Sequence, residues 1–109
     1  MSRKRINQEF HIGKNISKND AGRKSLSGAS SSNLDTYNKY SGKFVSRRKY
    51  NQEGKAYVDI DVAHKSDGYD HAHDIDVTKV PPRSKEHRPL SKKERREINK
   101  AKRKRRFWR

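Results

Sequence analysis

Alternation of apolar and polar residues predicts two β-strands near the middle of the chain. In the run KAYVDIDV, residues 55–62, the apolar positions 58, 60 and 62 alternate with positions 57, 59 and 61. This period of two is typical of a strand with one buried face. The preceding run FVSRRKY, residues 44–50, is connected to it by the short, glycine-containing segment NQEG, so we predict a β-hairpin.

Weaker patterns on either side of the hairpin predict a third strand and a short helical segment. The third strand is expected at residues 72–77, before Pro81 and Pro82, because proline donates no ladder hydrogen bond. Residues 33–40 are expected to form one or two helical turns that end before Gly42. The rest of residues 1–41 is rich in serine, asparagine and glycine, so we predict a loop-rich arm.

The C-terminal part of the chain predicts a helix from about Lys92 to Arg103. Ser91 and Glu94 have the spacing of a capping box, in which each side chain bonds the other residue's backbone N–H. The helix has few apolar positions, chiefly Ile98 and Ala101. We therefore expect it not to pack as a core element, but to fit against a partner or to form only partly when free.

These patterns predict one small α+β domain built on a three-stranded antiparallel meander. The meander occupies residues 42–80, between a loop-rich N-terminal arm (1–41) and a basic linker with the C-terminal helix (81–109). A length of 109 residues suits one domain, while 28% apolar and 39% charged residues limit the core. Because this composition approaches that of disordered chains, we expect a folded centre with flexible ends.

The net charge of +16 favours a polyanionic partner. Residues 83–109 contain fourteen lysines and arginines against three glutamates, a surplus of +11. We predict that this tail binds nucleic acid, with RNA as the preferred partner, although a solvated helix is the alternative. The predicted contacts are Lys92, Lys93, Arg95, Arg96, Lys100, Arg103, Arg105, Arg106 and Trp108.

Membrane and disulfide chemistry are not expected. No apolar run approaches the ~20 residues that a membrane-spanning helix needs, and the N-terminus lacks the apolar stretch of a secretory signal. The chain has no cysteine, which excludes disulfides and a thiolate zinc site. We expect no membrane partner and a cytoplasmic location, in a bacterial cell or a phage-infected host.

Acidic residues and histidines gather in DGYDHAHDID, residues 67–76, which contains four aspartates and two histidines but no lysine or arginine. A hairpin between the second and third predicted strands would bring His64 close to His71 or His73. Three interpretations remain open: a catalytic site, a metal site, and a polar turn in which these side chains cap strand ends or pair with arginine.

In the catalytic interpretation, these residues supply the groups needed for RNA cleavage by attack of the RNA's 2′-hydroxyl on the neighbouring phosphate. That reaction needs a base, an acid and a cation that stabilises the phosphorane, and histidine exchanges protons near neutral pH. Arg47 and Arg48 are neighbours on a strand, so one of them faces the histidines. The predicted catalytic residues are His64, His71 and His73 as acid and base, Arg47 or Arg48 for the phosphate, and Asp61 to orient an imidazole.

The metal interpretation uses the same atoms. His71 and His73 lie two apart on one strand face and could share an ion with His64 or an aspartate. Without a thiolate, the two strand-borne histidines alone make an incomplete site, so we expect no bound zinc and no cofactor. His11 and His87 are given no role.

The pattern from Arg47 to His73 resembles small C-terminal toxin domains of bacterial polymorphic toxins and phage head-associated proteins. The shared features are a basic strand, a Y-x-x-x-G-x-A turn, a D-I-D strand, a histidine soon after it, and a final H-x-H. The matching positions are Arg47, Arg48, Tyr50, Gly54, Ala56, Asp59, Asp61, His64, His71 and His73. The resemblance implies an antiparallel α+β ribonuclease of the barnase, EndoU or RelE type, RNA as substrate and an acidic immunity protein as partner. The alternative is a non-enzymatic basic nucleic-acid-binding protein, associated with a phage or a ribosome.

Overall fold

Six antiparallel strands and one helix make up the fold. A computed structural model describes residues 9–13, 24–63 and 68–107. The strands form one sheet in the order of the sequence, so each strand pairs with its neighbours along the chain. The elements are β1 (Glu9–Gly13), β2 (Asn33–Asn38), β3 (Phe44–Tyr50), β4 (Ala56–Asp61), β5 (His71–Asp74), β6 (Arg88–Pro89) and α1 (Lys92–Lys102).

The prediction of a three-stranded meander with a loop-rich arm is therefore wrong. The arm contributes β1 and β2, and the linker contributes β6. Residues 33–38 form a strand rather than helical turns because they pair on both sides, with β1 and with β3. Pairing buries Leu34 and Tyr37 on opposite faces of the sheet, and such tertiary contacts outweigh local preference.

The central hairpin was predicted correctly. β3 and β4 pair in antiparallel register, with Arg48 opposite Asp59. In the connecting turn the Gly54 N–H donates to the Asn51 carbonyl at 2.9 Å. Gly54 has a φ of +78°, and a Cβ at this position would clash with the Gly28 carbonyl oxygen. The turn therefore requires glycine at position 54 for two independent reasons.

The third predicted strand was placed correctly but extended too far. β5 ends at Asp74, not at residue 77. Asp76 folds back on the chain, since its Oδ1 accepts hydrogen bonds from both the N–H and the hydroxyl of Thr78. Such an aspartate turn competes with continued strand pairing.

Helix α1 is part of the core, contrary to expectation. The capping box at Ser91 and Glu94 is present as predicted. Ile98 is completely buried and Ala101 is buried beside it. Two apolar residues three apart lie on one helix face, and the sheet supplies the remaining apolar surface. The residues packed together are Phe10, Tyr37, Phe44, Val58, Ile60, Ala72, Leu90, Ile98 and Ala101.

The opposite face of the sheet combines a small apolar cluster of Leu34, Tyr50, Ala56 and Ile75 with buried polar side chains. It is covered in part by residues 24–32, since Ser25 O accepts hydrogen bonds from Arg48 and from the Tyr50 hydroxyl. The buried polar side chains of this face, which we call the polar face, are Thr36, Ser46, Arg48, Asp59, Asp61, His71 and His73. Within the described ranges, no helix is long and apolar enough to cross a membrane.

Candidate functional site

Strand register places two aspartates against two histidines on the polar face. β4 alternates, so Val58 and Ile60 face the helix while Asp59 and Asp61 face the other way. In the β4–β5 ladder Asp59 lies opposite His73, and Asp61 lies opposite His71. Directly opposed residues share a face of the sheet, so a carboxylate faces an imidazole at each of two adjacent positions.

Asp61, His71 and His73 form a close cluster. The Nε2 atoms of His71 and His73 lie 3.7 Å and 3.8 Å from Oδ2 of Asp61. The two rings are 5.1 Å apart, centroid to centroid, and meet edge to face. All three belong to the six catalytic residues predicted from the sequence, and the structure brings them together.

Backbone carbonyls hold both rings. The Nδ1 of His73 lies 2.9 Å from the Ser84 carbonyl oxygen, and the Nδ1 of His71 lies 3.2 Å from that of Tyr69. A carbonyl oxygen only accepts hydrogen bonds, so Nδ1 carries the proton in each ring. In the neutral form of either ring, Nε2 is then the nitrogen with the lone pair.

His87, for which no role was predicted, completes a cluster of three imidazoles. Its ring lies 4.4 Å from that of His71 and 5.7 Å from that of His73. Its Nδ1 is 3.1 Å from the Tyr69 hydroxyl. His87 is exposed, whereas His71 and His73 are 2% and 8% exposed. The cluster therefore has one ring at the surface and two beneath it.

The two arginines predicted to hold phosphate lie on opposite faces of the sheet. Arg47 is on the helix side, bound by Asp35 at 2.7 Å and 2.9 Å and by Glu97 at 2.6 Å. The hydrogen bond to Asp35 raises the pKa of Arg47, with a further contribution from Glu97. The structure thus separates Arg47 from the histidines, and its assignment to the phosphate is corrected.

Arg48 is on the histidine side, but it is already paired. Its Nε and Nη2 donate to the two oxygens of Asp59 at 2.7 Å and 2.8 Å. Burial disfavours the charge of each partner, but the pair outweighs burial: the pKa of Arg48 is raised and that of Asp59 is lowered. Because Asp59 and the carbonyls of Lys24 and Ser25 accept from all three of its guanidinium nitrogens, Arg48 serves the sheet rather than a substrate.

Arg83 is the arginine that reaches the cluster from outside. Its Nε donates to Asp59 and its Nη2 donates to Asp61, both at 2.8 Å. Its side chain is 40% exposed, and within the described residues its Nη1 makes no hydrogen bond. Sequence reasoning missed Arg83 because the single bridge between Ile75 and Arg83 that positions it has no repeating pattern.

A buried lysine adds to the positive charge of the polar face. The Nζ of Lys24 donates to the Ser46 hydroxyl at 2.9 Å. Burial lowers the pKa of Lys24, and the charges of Arg48 and Arg83 lower it further, although Asp59 opposes this. Lys24, Arg48 and Arg83 are thus the basic side chains beside the carboxylates of Asp59 and Asp61 on this face.

Helix α1 presents a one-sided basic surface. Its two glutamates point inward: Glu94 binds Arg88 at 2.9 Å and 3.0 Å, and Glu97 binds Arg47 and Lys49. The outward positions therefore carry positive charge without compensating acid on the helix. The exposed residues among the predicted contacts are Lys92, Lys93, Arg95, Arg96, Lys100, Arg103, Arg105 and Arg106.

Two predicted site residues, His64 and Trp108, lie outside the described residues. The helix is nevertheless linked to the histidine end of the sheet, since Lys102 Nζ binds Asp70 Oδ2 at 2.9 Å and Asp70 directly precedes β5. A nucleic acid on the helix would therefore lie close to that end of the sheet.

No family model, curated protein or solved structure matches the chain.

Proposed function

We propose that this protein binds RNA and cleaves it without a metal ion. The single observation that carries the proposal is the pair of imidazoles of His73 and His87, whose centroids are 5.7 Å apart, beside the half-exposed Arg83. Two imidazoles and a guanidinium are the groups that phosphoryl transfer to a neighbouring hydroxyl requires.

In this mechanism His73 is the base. The Ser84 carbonyl fixes the proton on Nδ1, so Nε2 of the neutral ring is able to accept the proton of the 2′-hydroxyl. The ring becomes positively charged in this step, and Asp61, 3.8 Å away, stabilises that charge. Asp61 therefore acts through His73 and is a positioning residue.

His87 is the acid. Its exposed ring, oriented by the Tyr69 hydroxyl, gives a proton to the 5′-oxygen that leaves the phosphorus. The 2′-oxygen forms the new bond to phosphorus as the bond to the 5′-oxygen breaks. The products are one strand with a 2′,3′-cyclic phosphate and one with a free 5′-hydroxyl, and proton gain and loss balance between the two rings.

Arg83 is the phosphate ligand in this proposal. Its Nη1 and its exposed face are available to a phosphate oxygen, to which a guanidinium donates charge-assisted hydrogen bonds. The ring of His71 forms a triangle with the two reacting rings, 4.4 Å from His87 and 5.1 Å from His73, and positions both.

The basic surface of α1 supplies affinity that does not depend on sequence. Lysine and arginine contacts to phosphates release counterions and give binding that weakens steeply with salt. The resemblance to toxin domains supports a role as a toxin-like nuclease in the cytoplasm of a bacterial or phage-infected cell. An acidic immunity protein would bind the same positive surface.

A second candidate is a non-enzymatic nucleic-acid-binding protein, associated with a phage or a ribosome. The observation that favours it is the inward orientation of Glu94 and Glu97, which makes the outer side of α1 purely basic whether or not the histidines react. This candidate predicts binding without cleavage.

The test is cleavage of labelled RNA, both a mixed sequence and a tRNA pool, in the presence of a chelator. We expect His73→Ala and His87→Ala each to slow cleavage about 10²–10⁴-fold, the usual loss for a general acid or base. Arg83→Gln should also slow cleavage while RNA binding persists. His64→Ala tests whether His64, a predicted catalytic residue outside the described ranges, takes part in cleavage.

The matched control is His11→Ala, because His11 lies on β1, four strands away from β5. Thermal melting of each variant verifies that it is folded. If the wild type does not exceed the His73 and His87 variants on any RNA, the enzyme proposal fails; binding that persists in all of them then supports the second candidate.

A further inference from the structure

We propose that Asp61, His71 and His73 bind one divalent transition metal ion, with zinc the best fit, and that the bound ion stops RNA cleavage. The inhibition rests on the proposed function, whereas the binding does not. The two halves are therefore tested separately.

The spacing of the three ligand atoms suits a small metal ion. One ligand atom from each residue lies within 4.8 Å of the other two. The Nε2 atoms of His71 and His73 are 3.7 Å and 3.8 Å from Asp61 Oδ2. Zinc bonds of about 2.0–2.1 Å in a tetrahedron place two ligand atoms about 3.4 Å apart. The two distances to Asp61 must contract by a few tenths of an ångström, and the two imidazole nitrogens, which lie within 4.8 Å of each other, must approach to about 3.4 Å, which rotation of the two rings allows.

The orientation of the imidazoles is the one that metal-binding histidines adopt. A histidine that ligates through one nitrogen usually donates its other N–H to a carbonyl or carboxylate, which fixes the ring. Here Nδ1 of His73 donates to Ser84 O, and Nδ1 of His71 donates to Tyr69 O. In both rings Nε2, the nitrogen on the Asp61 side, is the one that binds the ion.

The ligand set selects zinc and its neighbours among the transition metals. Imidazole nitrogen suits zinc, copper and nickel, whereas magnesium and calcium take oxygen ligands. From the sequence alone, two histidines without a thiolate made an incomplete site. The register that places Asp61 opposite His71 supplies the third ligand, and three protein ligands leave one tetrahedral position open.

The positive charge of Arg83 disfavours a metal ion at this site. Its Nη2 donates to the Asp61 oxygen that faces both imidazoles, at 2.8 Å. A metal ion must share that oxygen and approach a guanidinium. Removal of the Arg83 charge should therefore tighten metal binding, the opposite of its expected effect on cleavage.

The bound ion inhibits cleavage because metal coordination and proton abstraction need the same lone pair. The Nε2 lone pair of His73 takes the 2′-hydroxyl proton in the proposed reaction, and a coordinated Nε2 has no lone pair to offer. His87 is not a member of the three-residue group, so its loss should remove cleavage and leave metal binding intact.

The binding test uses Co²⁺ and Zn²⁺ with the full chain and no RNA. Co²⁺ bound by nitrogen and oxygen ligands absorbs visible light, so its spectrum reports coordination directly, and Zn²⁺ should displace it. We expect the wild type to bind one ion per chain. Asp61→Asn and His73→Ala should each weaken metal affinity by more than about 10–100-fold, which is the usual loss when a group that only hydrogen-bonds to a metal ligand is removed.

His87→Ala is the matched control and should bind as wild type does. Arg83→Gln should bind about 5–10-fold more tightly, as expected when a nearby positive charge is removed. Absence of binding at millimolar metal, or binding that survives both Asp61→Asn and His73→Ala, overturns the site. Circular dichroism identifies any variant that has unfolded, and Asp61→Asn keeps the shape of the side chain.

The inhibition test measures RNA cleavage across a Zn²⁺ titration, with Mg²⁺ as control for effects of divalent ions on RNA. The activity should fall with the same midpoint as direct zinc binding, and a chelator should restore it. Full activity at saturating zinc overturns the inhibition but leaves the site. If no RNA is cleaved under any condition, the proposed function fails, and the cobalt spectrum still decides the site.

Discussion

Arg48 and Asp59 form a bidentate ion pair between β3 and β4, with N–O distances of 2.7 Å and 2.8 Å. The two side chains are 8% and 1% exposed. Arg83 donates to the same carboxylate at 2.8 Å, and the Lys24 and Ser25 carbonyls accept from Arg48. A buried charge pair of this kind couples the central strands to the segments that cover the polar face.

We predict that Arg48→Ala destabilises the fold by about 3–5 kcal/mol, because it leaves the buried Asp59 carboxylate without its main partner. Urea denaturation measures the change in the free energy of unfolding. The double variant Arg48→Met with Asp59→Leu removes both charges and should recover most of the loss. If Arg48→Ala slows RNA cleavage and leaves stability unchanged, Arg48 is a substrate ligand after all.

Helix α1 should be as important to stability as the strands, although its sequence is mostly charged. Ile98 is fully buried among the apolar residues of the sheet. We predict that Ile98→Ala lowers the free energy of unfolding by about 2–5 kcal/mol, the usual cost of such a cavity. Asn99→Ala, at the exposed neighbouring position, is the control and should change it by less than about 0.5 kcal/mol.

Because α1 belongs to the core, its charge must be tested by substitution rather than by deletion. Arg96, Lys100 and Arg103 are exposed on α1 and just beyond its C-terminal end. If all three contact phosphates, their replacement by alanine should reduce the slope of log K against log salt by about 2 for single-stranded RNA. Binding measured by fluorescence anisotropy at several salt concentrations gives that slope.

The control for this substitution is the triple variant of Lys55, Lys79 and Lys85, which removes the same charge from exposed positions outside the helix. Equal slopes for the two triple variants would show that total charge, not the surface of α1, determines binding.

The sequence predicted the elements whose information is local. Alternation in residues 55–62 identified β4, the glycine turn identified the hairpin, and Ser91 with Glu94 identified the start of the helix. The shared face of Asp59 and Asp61 followed from the same alternation, because residues two apart share a face. The register that brings Asp61 to His71 and His73 was not predicted, since alternation alone does not determine it.

The remaining elements depend on contacts between distant segments. β2 has the composition of a turn or short helix, and only its two neighbouring strands make it a strand. His87 approaches His71 because Pro89, in a two-residue strand, lies opposite His71. Neither the length nor the composition of such a strand distinguishes it from a loop. Arg47 and Arg48 were predicted as alternative phosphate ligands. Strand alternation places them on opposite faces of the sheet, but it does not tell which face packs against the helix.

The capping box gives a prediction for the pH dependence of stability. Glu94 binds both Ser91 N–H and the guanidinium of Arg88. The hydrogen bonds from Arg88, and then those from Ser91, lower the pKa of Glu94 to about 2, although burial opposes them. Because the folded pKa lies below that of an unfolded glutamate, the ionised form stabilises the fold. This contribution is complete above about pH 4.5 and is lost as the pH falls through about 2.

We expect Glu94→Gln to lower the free energy of unfolding by about 1–2 kcal/mol at pH 7, since solvent screens part of the ion pair. Glutamine still accepts the Ser91 hydrogen bond, so the change isolates the charge. At pH 2 the difference between wild type and variant should shrink, because Glu94 is then about half protonated in the folded state and almost fully protonated in the unfolded chain. Urea denaturation of both proteins from pH 2 to pH 7 measures it, and the other carboxylates cancel in the comparison. A difference that stays constant over this range would mean that Glu94 stabilises the helix through its shape and hydrogen bonds, and not through its charge.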